Sequence, residues 1–326
     1  MTVDNSIGLD FNKLAQDCGI TSETAPVQGV IANIDSLEDK YNKQELIAIY
    51  NYFLIHACEP DVIMYLIRCV DMYRDSSSVE YLVDILLLKN ANHSDVRTHE
   101  KYNNVRAMCA KAIANQKNTS VVSSLLYCLN NKDENYRVRL ACADALGRIG
   151  DRFAVAPLIE VVKDEEEKSV YLRESAVSAL GLLGDTRAID PLVSILETKQ
   201  GLIDKFSFLK ERVIEALSKM TFSENERVFK ALKNSLSDAS PQVRINAIEA
   251  IMNSENPRAV EVIRNCFDND SDVEVKKNAM IALYNLTDRS ILDEVINSDK
   301  YSDTLKMEAV AIIEEYEDDE SDGADE

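Results

Sequence analysis

Tryptophan is missing from this 326-residue chain, and the residues that interrupt helices are scarce, with nine glycines and six prolines. Few breakers in so long a chain is what an all-helical protein requires, and it argues against the turn-rich sandwiches and barrels. Positive charge is in deficit: 36 Lys and Arg against 57 Asp and Glu leave a formal net charge of −21. Such a field repels phosphate backbones, so nucleic acid is excluded as a partner. No apolar run approaches the ~20 residues that span a bilayer. The N-terminal MTVDNSIGLD has no basic region followed by an apolar one, so neither a membrane span nor a secretory leader is expected. The seven cysteines (Cys18, Cys58, Cys69, Cys109, Cys128, Cys142, Cys266) are odd in number, lack CxxC spacing and sit mostly in apolar helical stretches. They read as reduced core thiols of a soluble, cytoplasmic protein.

What the chain does have is a repeat. The phrase apolar-basic-x-x-apolar/Ala-x-x-Ala-apolar recurs as VRAMCAKAI (105–113), VRLACADAL (138–146), LRESAVSAL (172–180), LKERVIEAL (209–217), VRINAIEAI (243–251), VKKNAMIAL (275–283) and LKMEAVAII (305–313). Successive basic positions lie 33, 34, 37, 34, 32 and 30 residues apart. Within each copy the apolar positions fall on one stripe of a helix. Between copies runs a second stripe, clearest in AVAPLIEVV (154–162) and AIDPLVSIL (188–196). Two such helices cannot bury their stripes alone and must stack on neighbouring pairs. Pro157 and Pro191 stand in the first turn of these second helices, where a missing N–H costs nothing. Gly150 and Gly184 close the basic-residue helices, where a left-handed residue is favoured.

Six residues before the basic position stands an acid in six of the seven copies: Glu100/Arg106, Asp133/Arg139, Glu167/Arg173, Asp204/Lys210, Asp238/Arg244 and Asp270/Lys276. The last copy, at Lys306, has Lys300 there instead. An acid in the turn and a base in the next helix can pair within and between repeats, forming a structural ladder; Asp133 and Arg139 are expected to pair. This pattern resembles HEAT repeats, which implies a right-handed superhelix of about seven to eight helical pairs, all-α, of the α-solenoid class. In HEAT arrays the helix carrying that base lines the inner, concave surface.

Four regions are expected: a partly ordered segment over 1–38, divergent helices over 39–90, the repeat array over 91–313 and an acidic, solvated, disordered tail over 314–326. That tail, EEYEDDESDGADE, carries nine acids and no base. The segments 42–56, 61–73 and 79–89 read as helices, and 90–101 as a polar loop. KQGLIDKFSF (199–208) lengthens one repeat and reads as a loop near a binding face. DEEEK (164–168) reads as a solvated turn.

Chemistry is sparse. The histidines are His56, His93 and His99, and His99-Glu100 is the only His-Glu pair. His56 reads as a satisfied core imidazole. A HEAT-fold di-iron hydroxylase needs several His-Glu pairs, which excludes that reaction and any intrinsic metal site. No GxxxxGK[ST], GxGxxG or GxSxG occurs, so no catalytic residue is identified. Cys109 and Cys142, at equivalent small positions one repeat apart, read as packing. The ladder arginines could grip carboxylates, but structural pairing is the favoured reading. Tyr136, Tyr171 and Tyr301, each just before a basic position, suit either a flat ligand or a cap on the core.

The units VRLACADALGRIGDRFAVAPLIEVVKD and LRESAVSALGLLGDTRAIDPLVSIL resemble the HEAT-like repeats of the cyanobacterial E/F-type phycobilin lyases. The resemblance is closest over 104–200 and looser to 314. It implies a protein that helps attach open-chain tetrapyrroles to phycobiliprotein cysteines, or that assembles phycobilisomes. Its partners would be a phycobiliprotein subunit or a second HEAT subunit, with a transiently held bilin and no intrinsic cofactor. The acceptor supplies the nucleophile, so no triad is needed. A non-enzymatic scaffold or chaperone for a photosynthetic or iron–sulfur assembly fits the same residues. On either reading the partner or ligand lies against non-core positions of the basic-residue helices: Asp144, Arg148, Glu174, Ser178, Glu211, Glu215, Asn246 and Glu249, with Tyr136 and Tyr171 at the rim.

Overall fold

The computed structural model describes residues 8–88, 100–164, 166–167, 169–197, 207–220 and 225–322, with backbone only over 315–322. His93, His99, Asp204, parts of 164–168 and most of 199–208 therefore lie outside the described residues. These contain eighteen α-helices and no strand. No helix among them is long and apolar enough to cross a membrane.

The chain divides into two compact units, Met1–Leu183 and Gly184–Glu326. In the first unit the helices are α1 (Phe11–Cys18), α2 (Val27–Asp35), α3 (Lys43–His56), α4 (Pro60–Tyr73), α5 (Val79–Leu86), α6 (Glu100–Asn115), α7 (Val122–Asn130), α8 (Tyr136–Ile149), α9 (Val155–Lys163) and α10 (Val170–Leu183). Those bearing the basic position form one layer, α6 on α8 and α8 on α10, and α5, α7 and α9 back onto them. The second unit repeats the scheme with α11 (Ile189–Glu197), α12 (Ser207–Ser218), α13 (Glu226–Ser235), α14 (Pro241–Met252), α15 (Ala259–Asn269), α16 (Val273–Leu286), α17 (Ser290–Asn297) and α18 (Asp303–Asp322). There α12, α14, α16 and α18 stack in order, while α13, α15 and α17 back α14, α16 and α18. Each unit is thus a stack of antiparallel-type helix pairs, the α-solenoid arrangement. The basic-position helices are called inner helices below, and their backing helices outer.

The inner helices pack through small residues. Ala110, Cys142, Ala143, Ala145, Ala176 and Ala179 are at most 1% exposed. A Cβ on Gly147 would lie 2.7 Å from the Ala179 Cα, so α8 and α10 touch backbone to side chain there. The outer helices supply bulk, with Leu82, Leu125, Leu158 and Leu192 fully buried.

A turn motif punctuates the array further than glycine alone reveals. Gly150 (φ 82°) and Gly184 (φ 62°) are left-handed, and so are Arg74 (φ 49°), Lys117 (φ 50°) and Glu255 (φ 53°). Each precedes an Asp or Asn whose side chain accepts a backbone N–H two residues on: Asp75 from Ser77, Asn118 from Ser120, Asp151 from Phe153, Asp185 from Arg187 and Asn256 from Arg258. Such an Asx turn redirects the chain into the outer helix, and four of the five enter it through one turn of 3-10 helix. The N-terminal third is therefore written in the same unit, with Arg74 and Lys117 where later repeats use glycine. Helices α1 and α2 give the 1–38 segment more order than the sequence suggested. At the other end α18 is helical to Asp322, through most of the segment expected to be disordered. Its first turns are anchored by buried Leu305 and Ala309.

Candidate functional site

The ladder exists, in a register shifted by one repeat. Arg106 holds Glu134 bidentately, Nη1 to Oε1 at 2.7 Å and Nη2 to Oε2 at 2.5 Å. Arg139 Nη1 donates to Glu167 Oε2 at 2.6 Å, Lys210 pairs with Asp238, and Arg244 takes both oxygens of Asp270 at 2.8 and 3.0 Å. Each base thus reaches the acid that precedes the next inner helix. The acid six residues before is not the ion-pair partner of Arg106, Arg139 or Arg244: Glu100 instead holds Arg137, Glu134 takes the place given to Asp133, and within its repeat Arg244 reaches the Asp238 and Ala239 carbonyls, at 2.9 and 3.3 Å. Lys276 has no ion pair among the described residues, and the next repeat carries Lys300 where the others have an acid.

The reason is helix-end chemistry. The last carbonyls of an α-helix have no partner within it, and the bases of α6, α8, α10 and α16 sit against the end of the outer helix before them. Arg106 Nε donates to Leu86 O at 2.7 Å, Arg139 Nε to Leu129 O at 2.9 Å, Arg173 Nε to Val162 O at 3.1 Å and Lys276 Nζ to Asp268 O at 3.4 Å. With that edge engaged, the far edge of the guanidinium points to the following repeat. Burial works against the charge on Arg106, but the Glu134 hydrogen bond and charge outweigh it and raise its pKa. Arg106, Arg139 and Arg244 are accordingly engaged by carboxylates of the stack itself.

The candidate partner-facing residues fall into two sets, one in each unit. On α8 and α10 the spacing of four residues puts Leu140, Asp144 and Arg148 in one row and Glu174, Ser178 and Leu182 in the next. Arg148 is exposed and has no ion pair among the described residues. Leu182 (57%) is exposed at the C-terminal end of α10, while Tyr136 (45%) and Tyr171 (68%) are exposed in the first turns of α8 and α10, about three turns along the helix from Arg148. Asp144 is tied to Ser175 of α10 by a short hydrogen bond, so it helps to join the two helices as well as facing outward. On α12 and α14, Glu215 is clamped by Arg212 at 2.8 Å and Lys219 at 2.7 Å, which lower its pKa. Burial and then Asp238 raise that of Glu211. Asn246 accepts from Gln242 at 2.8 Å, and Glu249 is exposed. Tyr301 belongs to the core: 7% exposed, its ring lies 5.3 Å from that of Phe267 and its hydroxyl donates to Glu294.

Among the described residues no cysteine combines exposure with a lowered pKa: the Cys142 hydrogen bond lowers that of Cys128, which is buried. Cys58 alone among the cysteines is partly exposed, and burial and then Glu23 and Glu59 raise its pKa. Burial pushes the Cys69 and Cys266 thiols up to about 12 and about 11. The Cys128 hydrogen bond and burial raise that of Cys142. His56 stacks on Tyr52 at 3.9 Å and contacts its carbonyl at 2.8 Å through Nδ1. No cluster of three or more His, Cys, Asp or Glu among the described residues could hold a metal ion.

Sequence reasoning missed a second set of ion pairs on the outer helices of the second unit. Arg227 pairs with Asp190 and Glu197, Arg258 with Glu226, and Arg264 with Glu294. Base and acid stand about one repeat apart, so the same period search applied to the second stripe would have found them.

The family model for HEAT repeats matches residues 96–170 and 229–313, and that for the PBS lyase HEAT-like repeat matches 172–198, which is α10 and α11. No curated protein sequence matches the chain. Among solved structures, Kap121p is similar over 92% of this chain and 37% of its own, at 12% identity and TM-score 0.51. The chain therefore spans little more than a third of that protein, which shares the fold. The CpcE–CpcF complex of phycocyanin lyase from Nostoc sp. PCC7120 matches at 20% identity over 73% of this chain and 87% of that one, TM-score 0.43. Human deoxyhypusine hydroxylase matches at 18% identity over 85% and 96%, TM-score 0.35. Repeat register, helix pairing and family models agree that the chain is a HEAT-repeat protein, its central repeat resembling the PBS lyase HEAT-like repeat.

Proposed function

We propose that this chain is a lyase-like HEAT subunit that holds a phycobiliprotein subunit, with a bilin carried transiently, on the inner-helix face of the first unit. The observation that carries this reading is the PBS lyase HEAT-like repeat at 172–198, which begins on α10, beside α8. The chemistry there is compatible. Arg148 is the exposed cation for a propionate, and Tyr136, Tyr171 and Leu182 offer flat apolar surface for a tetrapyrrole or a partner's anchor. The cysteines are buried or held protonated, which suits a reaction whose nucleophile is the acceptor's thiol. Asp144 and Glu174 favour an acceptor with a neutral or basic contact patch.

Co-expression with a bilin source and candidate phycobiliprotein subunits tests it. Covalent chromophore absorbance on an acceptor that depends on this chain is the expected result. Arg148→Glu should abolish pigment retention while leaving the circular dichroism spectrum unchanged. Capture of an acceptor with no pigment transfer would instead make the chain a pure scaffold, and neither capture nor transfer would end the reading.

A further inference from the structure

The outer layer of the first unit contains a groove that the inner-face reading does not use. It has a volume of about 930 Å³ and is walled by α3, α5, the turn at Ser76–Ser78 and the start of α7. It lies where the start of α5 and the turn before it meet α3 and the start of α7. Every ionisable carboxylate or base that lines it is acidic: Asp75, Glu80 and Asp84. Lys43 and Lys117 adjoin lining residues in sequence, but neither lines the groove, and Lys43 sits over the Tyr73 ring.

A second observation is independent of charge. Asn51 of α3 lines the groove while only 4% exposed. Its Nδ2 donates to Ser77 Oγ at a long 3.5 Å, and its Oδ1 accepts nothing from the described residues. A buried amide oxygen without a donor carries a desolvation cost, so a ligand that brings an N–H to it is favoured. Burial, then the charges of Glu80 and Asp84, raise the pKa of Tyr81 in the same wall, as a negative local potential requires. Acceptors on the floor and carboxylates on the walls select a cationic donor.

We propose that this groove docks an extended segment of a partner protein bearing Lys or Arg, its cationic head taken up by Asn51 and the surrounding carboxylates. The site is separate from the inner face and does not depend on the bilin reading. A groove of this size holds one or two side chains with their backbone, and the serines along it, Ser76, Ser77, Ser120 and Ser124, supply hydrogen bonds to a peptide main chain.

The test uses the full chain and a short fluorescein-labelled peptide of alternating Arg and Ser, with a Glu-for-Arg peptide as control. Anisotropy is read at near-physiological salt, where a Debye length of ~8 Å suppresses the chain's general acidity. The Arg peptide should bind and the Glu peptide should not. Glu80→Arg, on an exposed residue, and Ser124→Trp, which fills the groove, should each weaken binding about tenfold or more, while Glu160→Arg, an exposed acid on α9, changes it less than about twofold. Bound peptide should slow amide exchange over 76–84 and 118–124. Equal weakening by Glu80→Arg and Glu160→Arg would reduce the effect to net charge and overturn the proposal, as would an Arg peptide that fails to bind. Should Ser124→Trp melt early, Glu80→Arg and the exchange pattern decide.

Discussion

Arg139 and Glu167 lie 28 residues apart in the chain and 2.6 Å apart in space, with side chains 7% and 9% exposed. The same guanidinium caps α7 through the Leu129 carbonyl, so one side chain ties three helices: α7, its own α8 and the turn leading into α10. Removing either partner strands a buried charge, which costs about 3 kcal/mol or more. Arg139→Ala and Glu167→Ala should therefore each destabilise the protein strongly in urea melts, and their double mutant should fall short of the sum by about 1–3 kcal/mol. Asp133→Ala should stay within about 0.5 kcal/mol of the parent. Additive losses at Arg139 and Glu167 would show that the pair does not act as a unit.

Gly147 and Gly29 should respond oppositely to alanine. A Cβ at Gly147 would press on the Ala179 Cα at 2.7 Å, whereas one at Gly29 meets nothing within 4 Å. Overpacking at a backbone contact costs about 1–3 kcal/mol, while relief of glycine's entropy in a helix gains about 0.5–1 kcal/mol. Thermal melts of the two variants should shift in opposite directions; a neutral Gly147→Ala would mean that α8 and α10 separate freely.

Arg74 and Lys117 occupy left-handed positions that Gly150 and Gly184 fill elsewhere. A side chain in that conformation costs roughly 1–2 kcal/mol, partly offset by the smaller entropy it loses on folding relative to glycine. Arg74→Gly and Lys117→Gly should each raise stability by about 0.5–1 kcal/mol, read as a higher denaturation midpoint with unchanged helicity. Lower midpoints would show that those side chains contribute more by contact than they lose by strain.

Glu211 has its pKa raised, first by burial and then by Asp238, although Arg212 acts to lower it. A carboxyl with a raised folded-state pKa adds stability below its unfolded value and loses it as pH rises through the folded value. At neutral pH its charged form is therefore a burden, and Glu211→Gln should be more stable than the parent. The advantage should shrink as pH falls through the folded value and vanish below pH ~3.5, where the carboxyl is largely protonated in both states. Melts across that range check it, and a variant equal to the parent at pH 7 would remove the burial argument.

The repeat period, the paired helical stripes and the identity of the ladder bases are legible in the residues alone, because each inner helix must turn an apolar stripe inward and place one base in its first turn. Helix pairing follows, since a single amphipathic helix cannot bury its own stripe. The sequence also contains the Asx residues Asp75, Asn118, Asp151 and Asp185, but glycine marks the turn visibly at only two of those four repeats; the repeat before Lys117 was legible from its helix pattern, whereas Arg74 left the turn before α5 without a signal. Only the tertiary structure decided where each base points. Arg139 and Asp133 are near in sequence, yet the end of α7 leaves carbonyls that need a donor, and meeting that need turns the guanidinium away from Asp133 toward Glu167. The groove beside Asn51 was likewise invisible, because its walls come from α3, α5 and α7, far apart in the chain, a relation among three helices that no single segment encodes.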